Sequence, residues 1–246
     1  MRTIVLLGPA GSGKSVLAGA LAYLLRDMGF DALILNLDPA AVVYPYDEPD
    51  IDIRRYVRTE RVMRRFGLGP NGGLIASIDI AVKFSRRIKR EIVESGPEIL
   101  VVDTPGQLEL FVFRHAGIML LQEAILDIPD NKALALFLFD PFLCSDASSM
   151  LSLLLLAASV SLRIYIPMLG ALTKIDMLPP SEMRKIWNLL NNPRQILLQI
   201  QDRNLPFAVR KIDPQAIKLD VWPVSGISGD GLKELLTKIE DLLGED

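Results

Sequence analysis

The run Gly8-Pro9-Ala10-Gly11-Ser12-Gly13-Lys14-Ser15, "GPAGSGKS", decides how this chain is read. It meets the pattern G-x-x-x-x-G-K-[ST] at every fixed position. It also lies where that pattern has a physical meaning, between an apolar segment, "TIVLLG" (3–8), and the start of a helical stretch. Glycines let successive backbone N–H groups turn inward around an anion, and the helix that follows adds its N-terminal donors and positive dipole end. Gly11, Ser12, Gly13 and Val16 belong to this cradle. Lys14 is placed to lie between the β- and γ-phosphates of a nucleoside triphosphate, and the Ser15 hydroxyl to ligate Mg²⁺.

Further apolar, β-prone segments follow: "ALILNL" (32–37), "EILVVDT" (98–104), "ALALFLFD" (133–140), "PMLGALTK" (167–174) and "KLDVWPVS" (218–225). Their near-continuous hydrophobicity suits strands buried on both faces, as in a parallel sheet covered by helices. Helical composition and period mark 15–27, 51–66, 76–95, 145–162, 181–190 and 232–243. The alternation predicts an α/β, P-loop NTPase three-layer fold, with a mainly parallel sheet, helices on both faces and helical insertions. No repeat or linker divides the chain, so a single domain over 1–246 is expected, with insertions at 38–96, 145–162 and 181–204.

Asp103 ends the "ILVVD" strand, where a carboxylate can hold a Mg²⁺-bound water. In the "TPGQLE" that follows, Pro105-Gly106 turns the chain, and the Gly106 amide, with no Cβ in the way, suits close approach to a γ-phosphate. Gln107 and Glu109 come next, within reach of an attacking water or as solvated loop residues. "LTKID" supplies Thr173, Lys174 and Asp176 after an apolar strand. The Asp176 carboxylate can accept from both N1–H and the exocyclic amine of guanine, a donor pair that adenine lacks, while the Lys174 stem lies along the purine. GTPases usually carry Asn where this chain has Thr173. After the last strand, Ser225, Gly226 and Ile227 begin a loop whose amides can point toward guanine O6.

One stretch stands apart. "GLGPNGGL" (67–74) holds four glycines and a proline in eight residues, a composition that predicts irregular backbone between two helical segments. It has no lysine, so it is not a second phosphate loop of the usual kind. Asn71-Gly72 can also be an ordinary type I′ turn.

With the Walker A run, DTPGQ, T-K-x-D and Gly69-Pro70-Asn71 together, the chain resembles the GPN-loop GTPases over essentially its whole length, the triplet being the most specific of these features. The resemblance implies GTP/GDP and Mg²⁺ as ligands and hydrolysis of GTP. It implies a homodimer of the archaeal type, in which Asn71 reaches the partner's γ-phosphate. By residue matching it implies a water-aligning or water-deprotonating role for Asp38 in "NLDPAA", with Gln107 and Glu109 as companions. Protein clients such as RNA polymerase subunits are implied by the eukaryotic relatives. Two other readings remain at this stage: a P-loop kinase acting on a small acceptor, and a scaffold that holds GTP with negligible turnover.

The remaining features bound these readings. A net charge of −3 argues against direct nucleic-acid coating. One cysteine, Cys144, excludes an intrachain disulfide and fits a reducing, cytoplasmic setting. The N-terminus does not read as a signal peptide, and the uncharged run "ASSMLSLLLLAASVSL" (147–162) reads as a packed helix and not as a membrane span. Arg54, Arg58, Arg61 and Arg65 fall on one face of the expected 51–66 helix, as a solvated face or an interface for an acidic partner or second subunit. His115, the only histidine, is expected in a helix after the Gln107 loop, so no zinc constellation is available.

Overall fold

The computed structural model describes residues 1–200 and 211–244. The last four residues of the 181–204 insertion and the final two of the 1–246 range therefore lie outside the described residues. Seven strands form one sheet: β1 (Arg2–Leu7), β2 (Ala32–Asn36), β3 (Ile51–Asp52), β4 (Ile99–Asp103), β5 (Lys132–Phe139), β6 (Met168–Leu172) and β7 (Val221–Pro223). Their order is β3-β2-β4-β1-β5-β6-β7, and every pairing is parallel.

Strand pleating divides the core. On β1, Val5 and Leu7 belong to one buried cluster and Ile4 and Leu6 to the other; on β5, Phe137 and Phe139 separate from Leu136 and Leu138 in the same way. The second cluster is covered by α1 (Lys14–Asp27) and by the C-terminal helix Leu232–Gly244. The first is covered by α3 (Pro70–Ala81), on which α2 (Thr59–Phe66) packs, and by α4 (Ser85–Ser95), α5 (Leu108–Phe111), α6 (His115–Leu121), α7 (Ala147–Ile164), α8 (Pro180–Leu190) and α9 (Pro193–Gln199). These are the three layers the strand-helix alternation predicts. The C-terminal helix is α10.

Three expectations about elements need correction. Residues 51–66 are not one helix: Ile51–Asp52 pair with β2 as an edge strand, a 3₁₀ turn covers Ile53–Arg55, and α2 starts only at Thr59. Asp52 breaks the helix, because its side chain accepts from the Arg54 amide and favours a local turn. The four arginines therefore do not share a face. Arg54 is also ion-paired to Asp52 at 2.9 Å, donates to the Ala41 carbonyl at 3.0 Å, and lies 4.3 Å from the Tyr44 ring centroid.

The 67–74 stretch is mostly helix. Gly67, at φ 63°, closes α2 in the left-handed conformation. Gly69 is the extended N-cap of α3, and Pro70 occupies its first turn, where a missing N–H has no consequence. Gly73 serves packing: a Cβ there would come within 2.2 Å of Met63 Cγ, so its absence lets α3 cross α2 closely. Third, the helix expected over 76–95 begins at Pro70 and is interrupted by a 3₁₀ turn at Val82–Phe84.

The uncharged run lies within α7, whose 18 residues are long and apolar enough by length and composition to cross a membrane. Met150, Leu151, Leu154, Ala157 and Val160 are nevertheless buried against the sheet, as in a helix of a packed layer.

Candidate functional site

Most residues singled out in the sequence follow the C-terminal ends of strands: the phosphate loop after β1, Asp38 after β2, Asp103 to Gln107 at the end of β4, Thr173 to Asp176 after β6, and Ser225 after β7. β1 lies between β4 and β5, where chain connections leave in opposite directions and open a crevice at the strand ends.

The loop after β1 has the backbone its glycines allow. Gly11 and Gly13 have φ of 77° and 91°, and Gly13 is the N-cap of α1. Lys14 Nζ donates to the carbonyls of Gly8 and Pro9 at 2.8 and 2.9 Å, bracing the loop and leaving one of its three donors for an anion. Burial lowers the Lys14 pKa to about 8, and nearby Asp103, Asp38 and Glu109 pull the other way. A pocket of about 350 Å³ is lined by Gly11, Gly13, Lys14, Ser15 and Val16 from this segment, with Asp38, Thr104, Gly106 and Lys174 across from them.

Asp38 is half-buried, and its carboxylate accepts from the Ala40 amide at 2.8 Å and from the Gly106 amide. Burial raises its pKa against these donors and against Lys14 and Arg54, so proton uptake is easier than for an exposed aspartate. Asn36, fully buried, fixes the segment: its Oδ1 accepts from Asp38 N at 2.9 Å, and its Nδ2 donates to Asp38 O at 3.0 Å.

Asp103 is 2 % exposed. Burial raises its pKa to about 6, opposed by hydrogen bonds from Ser15 and Tyr46. Among the described residues its buried Oδ1 has no hydrogen-bond partner. A magnesium ion fits this arrangement: Ser15 can donate to Asp103 and still offer a lone pair to the metal, and a metal-bound water would supply the donor that Oδ1 lacks.

The base-reading motif is assembled by side chains far apart in sequence. Thr173 Oγ1 lies 2.9 Å from the Ser12 carbonyl and 3.2 Å from the Phe139 carbonyl, so the departure from Asn still ties β6 to the phosphate loop. Lys174, at φ 55°, holds Asp140 Oδ2 at 2.7 Å. Ser225 donates to Asp176 Oδ1 at 2.5 Å, leaving that exposed carboxylate aimed by a neighbour. Gly226 packs on Val16, where a Cβ would meet Cγ1 at 2.9 Å. In the same loop the Ile227 and Ser228 amides donate to Ser225 Oγ at 3.1 and 3.0 Å, a hydroxyl two or three residues back capping them locally.

Gln107 Nε2 reaches Asn71 Oδ1 at 3.4 Å, so the Gly-Pro-Asn segment and the turn after β4 meet within one chain. Asn71 is exposed at the start of α3, and Glu109 is exposed on α5; neither lines the phosphate pocket. Sequence reasoning missed Tyr46, Asn36, Thr104 and Asp140. Asp140 had a signal, an acid closing a buried apolar strand as Asp103 does. Tyr46 had none, since its partner is 57 residues away.

A family model described as "Conserved hypothetical ATP binding protein" matches residues 6–245. The GPN-loop GTPase PAB0955 of Pyrococcus abyssi is 32 % identical over 74 % of this chain and 71 % of its own length. The chain belongs to the GPN-loop GTPase family. Its members are classed as GTPases, and the crystal structure of the same Pyrococcus protein, a GTPase in apo form, superposes with a TM-score of 0.85 at 25 % identity, covering 98 % of this chain and 97 % of that one. GPN-loop GTPase 3 of Kluyveromyces lactis is 34 % identical over 79 % of this chain and 71 % of its own. The match to GPN-loop GTPase 1 of Dictyostelium discoideum, 35 % identical over 71 % of this chain, spans only 43 % of that protein.

Proposed function

We propose that this GPN-loop protein binds GTP with Mg²⁺, hydrolyses it to GDP and phosphate, and works as a homodimeric, nucleotide-dependent switch built on one P-loop domain. The observation that carries the hydrolytic part is Asp38, a half-buried carboxylate beside Lys14 in the phosphate pocket, in contact with the amide that would meet a γ-phosphate. In this reading the loop amides and Lys14 bind the phosphates. Mg²⁺, when bound through Ser15 and the water-holding Asp103, neutralises charge that develops on the leaving phosphates. Asp38 takes the proton from the attacking water and is helped by its raised pKa. Gln107 holds Asn71 at the exposed start of α3, from which it reaches the γ-phosphate of a second copy, Glu109 contributes negative charge at longer range, and Asp176 reads guanine with Lys174 along the base. The family model is described by ATP binding, but a carboxylate aimed by Ser225 suits the paired donors of guanine.

Exposed Pro70 and Asn71 support a second copy on this face, together with Val42 and Val43, which are 85 % and 82 % exposed. The kinase alternative needs arginines free to face transferred phosphate, and Arg54 is instead committed to Asp52. A cytoplasmic setting and protein clients such as RNA polymerase subunits rest on family resemblance. The test combines phosphate release from GTP and ATP, with and without Mg²⁺, and sizing with GDP and a non-hydrolysable GTP analogue. Mg²⁺-dependent release from GTP and a dimer that responds to nucleotide are expected. Preference for ATP removes the base assignment, and an unchanging monomer removes the switch.

A further inference from the structure

We infer that Tyr46 is a positioning residue for the magnesium site, its hydroxyl holding one oxygen of Asp103 so that the other is left for the metal's hydration shell. This rests on the nucleotide-binding reading above and adds a residue that no motif contains. The Tyr46 hydroxyl donates to Asp103 Oδ2 at 3.1 Å, the Ser15 hydroxyl is near enough to favour the charged form of this carboxylate, and among the described residues Oδ1 has no hydrogen-bond partner although it is buried. A carboxylate with one oxygen held by a side chain cannot rotate freely, and a carboxylate accepts only, so the open oxygen requires a donor such as a metal-bound water. Mg²⁺ keeps several waters and demands near-octahedral geometry, which makes carboxylate orientation matter more than carboxylate charge alone.

Tyr46 is itself held on two sides, by Tyr44 and by α1. Its ring stacks on Tyr44 at 5.0 Å between centroids with planes 17° apart. The Tyr44 hydroxyl lies 3.2 Å from Asp52 Oδ2 and accepts from Asn36 Nδ2 at 2.8 Å. Beneath, α1 offers Gly19, where an added Cβ would lie 2.7 Å from Tyr46 Cβ. Asn36 also clamps Asp38, so one short segment carries the proposed proton acceptor at one end and the metal-positioning hydroxyl at the other. Groups that hold a metal ligand in place typically account for a 10–100-fold effect on metal affinity.

The experiment is a Mg²⁺ titration of fluorescent GDP binding to the full chain, for the native protein, Tyr46→Phe and Gly19→Ala, with matched affinities in EDTA. Tyr46→Phe is expected to raise the half-saturating Mg²⁺ concentration on the order of 10–100-fold, with affinity in EDTA unchanged and GTP turnover recovering at saturating Mg²⁺. Gly19→Ala keeps the hydroxyl but displaces it, so it is expected to shift the Mg²⁺ dependence in the same direction. An unchanged Mg²⁺ midpoint in Tyr46→Phe, or an equal loss of affinity with and without Mg²⁺, overturns the inference while leaving the proposed function intact. Nucleotide binding by the native protein that ignores Mg²⁺ overturns the metal assignment itself.

Discussion

Gln107 donates to Asn71 Oδ1 at 3.4 Å, linking the exposed first turn of α3 to the turn that carries Gly106. Pro70 fixes the backbone immediately before Asn71, so little ordering is required of that side chain when nucleotide binds. The Gly-Pro-Asn segment and the water-facing turn therefore act as one unit. Asn71→Ala is expected to leave GTP affinity within about twofold and to lower kcat on the order of 10²-fold, the usual effect of removing a donor to developing charge. Because the two amides are in contact, Asn71→Ala combined with Gln107→Ala should cost less than the product of the single effects, as single-turnover rates in a double-mutant cycle would show. Independent effects would mean that the contact has no part in turnover.

Asp38 makes a different prediction, because it affects the proton and not the charge on phosphate. Asp38→Ala should bind GTP but hydrolyse it roughly 10²–10⁴-fold more slowly in single-turnover experiments. Near-normal turnover would remove Asp38 as the proton acceptor.

Lys14 predicts how binding varies with pH. Burial lowers its pKa from 10.5 to about 8 in the nucleotide-free fold. Between those values the unfolded chain binds a proton that the folded chain does not. The buried ammonium therefore costs about 3 kcal/mol at neutral pH, and the cost is relieved as pH rises from 8 toward 10.5. A bound triphosphate restores the charged form. At pH 8, GTP binding should thus take up about half a proton, and affinity should fall as pH rises further. Calorimetry in buffers of different ionisation enthalpy measures the uptake. Lys14→Met should abolish tight triphosphate binding and with it the proton uptake.

Asp176 carries the choice of base. Asp176→Asn keeps the shape and a partner for Ser225 but can no longer accept from both guanine donors. About 2–3 kcal/mol of GTP affinity should be lost, the range for hydrogen bonds to a charged acceptor, with little change in ATP affinity. Competition binding with the two nucleotides gives the ratio directly.

Thr173 tests whether the replacement for Asn matters. Thr173→Val removes a hydroxyl lying between the carbonyls of Ser12 and Phe139, while its volume is nearly conserved. Loss of about 1–3 kcal/mol in denaturant unfolding is expected, with weaker nucleotide binding as the phosphate loop loosens. An unchanged midpoint would mean that the loop is held by its own backbone alone.

Much of this was legible in the chain because it is local. The cradle at 8–15 needs glycines at fixed offsets, a strand before it and a helix after it, and all of these are contiguous. Asp103 and Asp176 announce themselves as acids just past apolar runs, so the parallel sheet and the positions of its strand ends followed from hydrophobic pattern. The 51–66 and 67–74 segments were misread because composition does not show which neighbour a residue will meet. Asp52 turned a helical pattern into an edge strand and a turn by capping Arg54, and Gly73 joined a helix because Met63 packs against it.

By itself, then, the sequence determined a phosphate loop, an ordered set of strand-end acids and an α/β class, since each depends on chemistry within a few residues. The tertiary structure alone decided that Tyr46 holds Asp103 and that Lys174 pairs with Asp140. The Tyr46 and Lys174 contacts join segments 57 and 34 residues apart. They exist because strand order and helix crossings bring those segments to one end of the sheet, information that no local window contains.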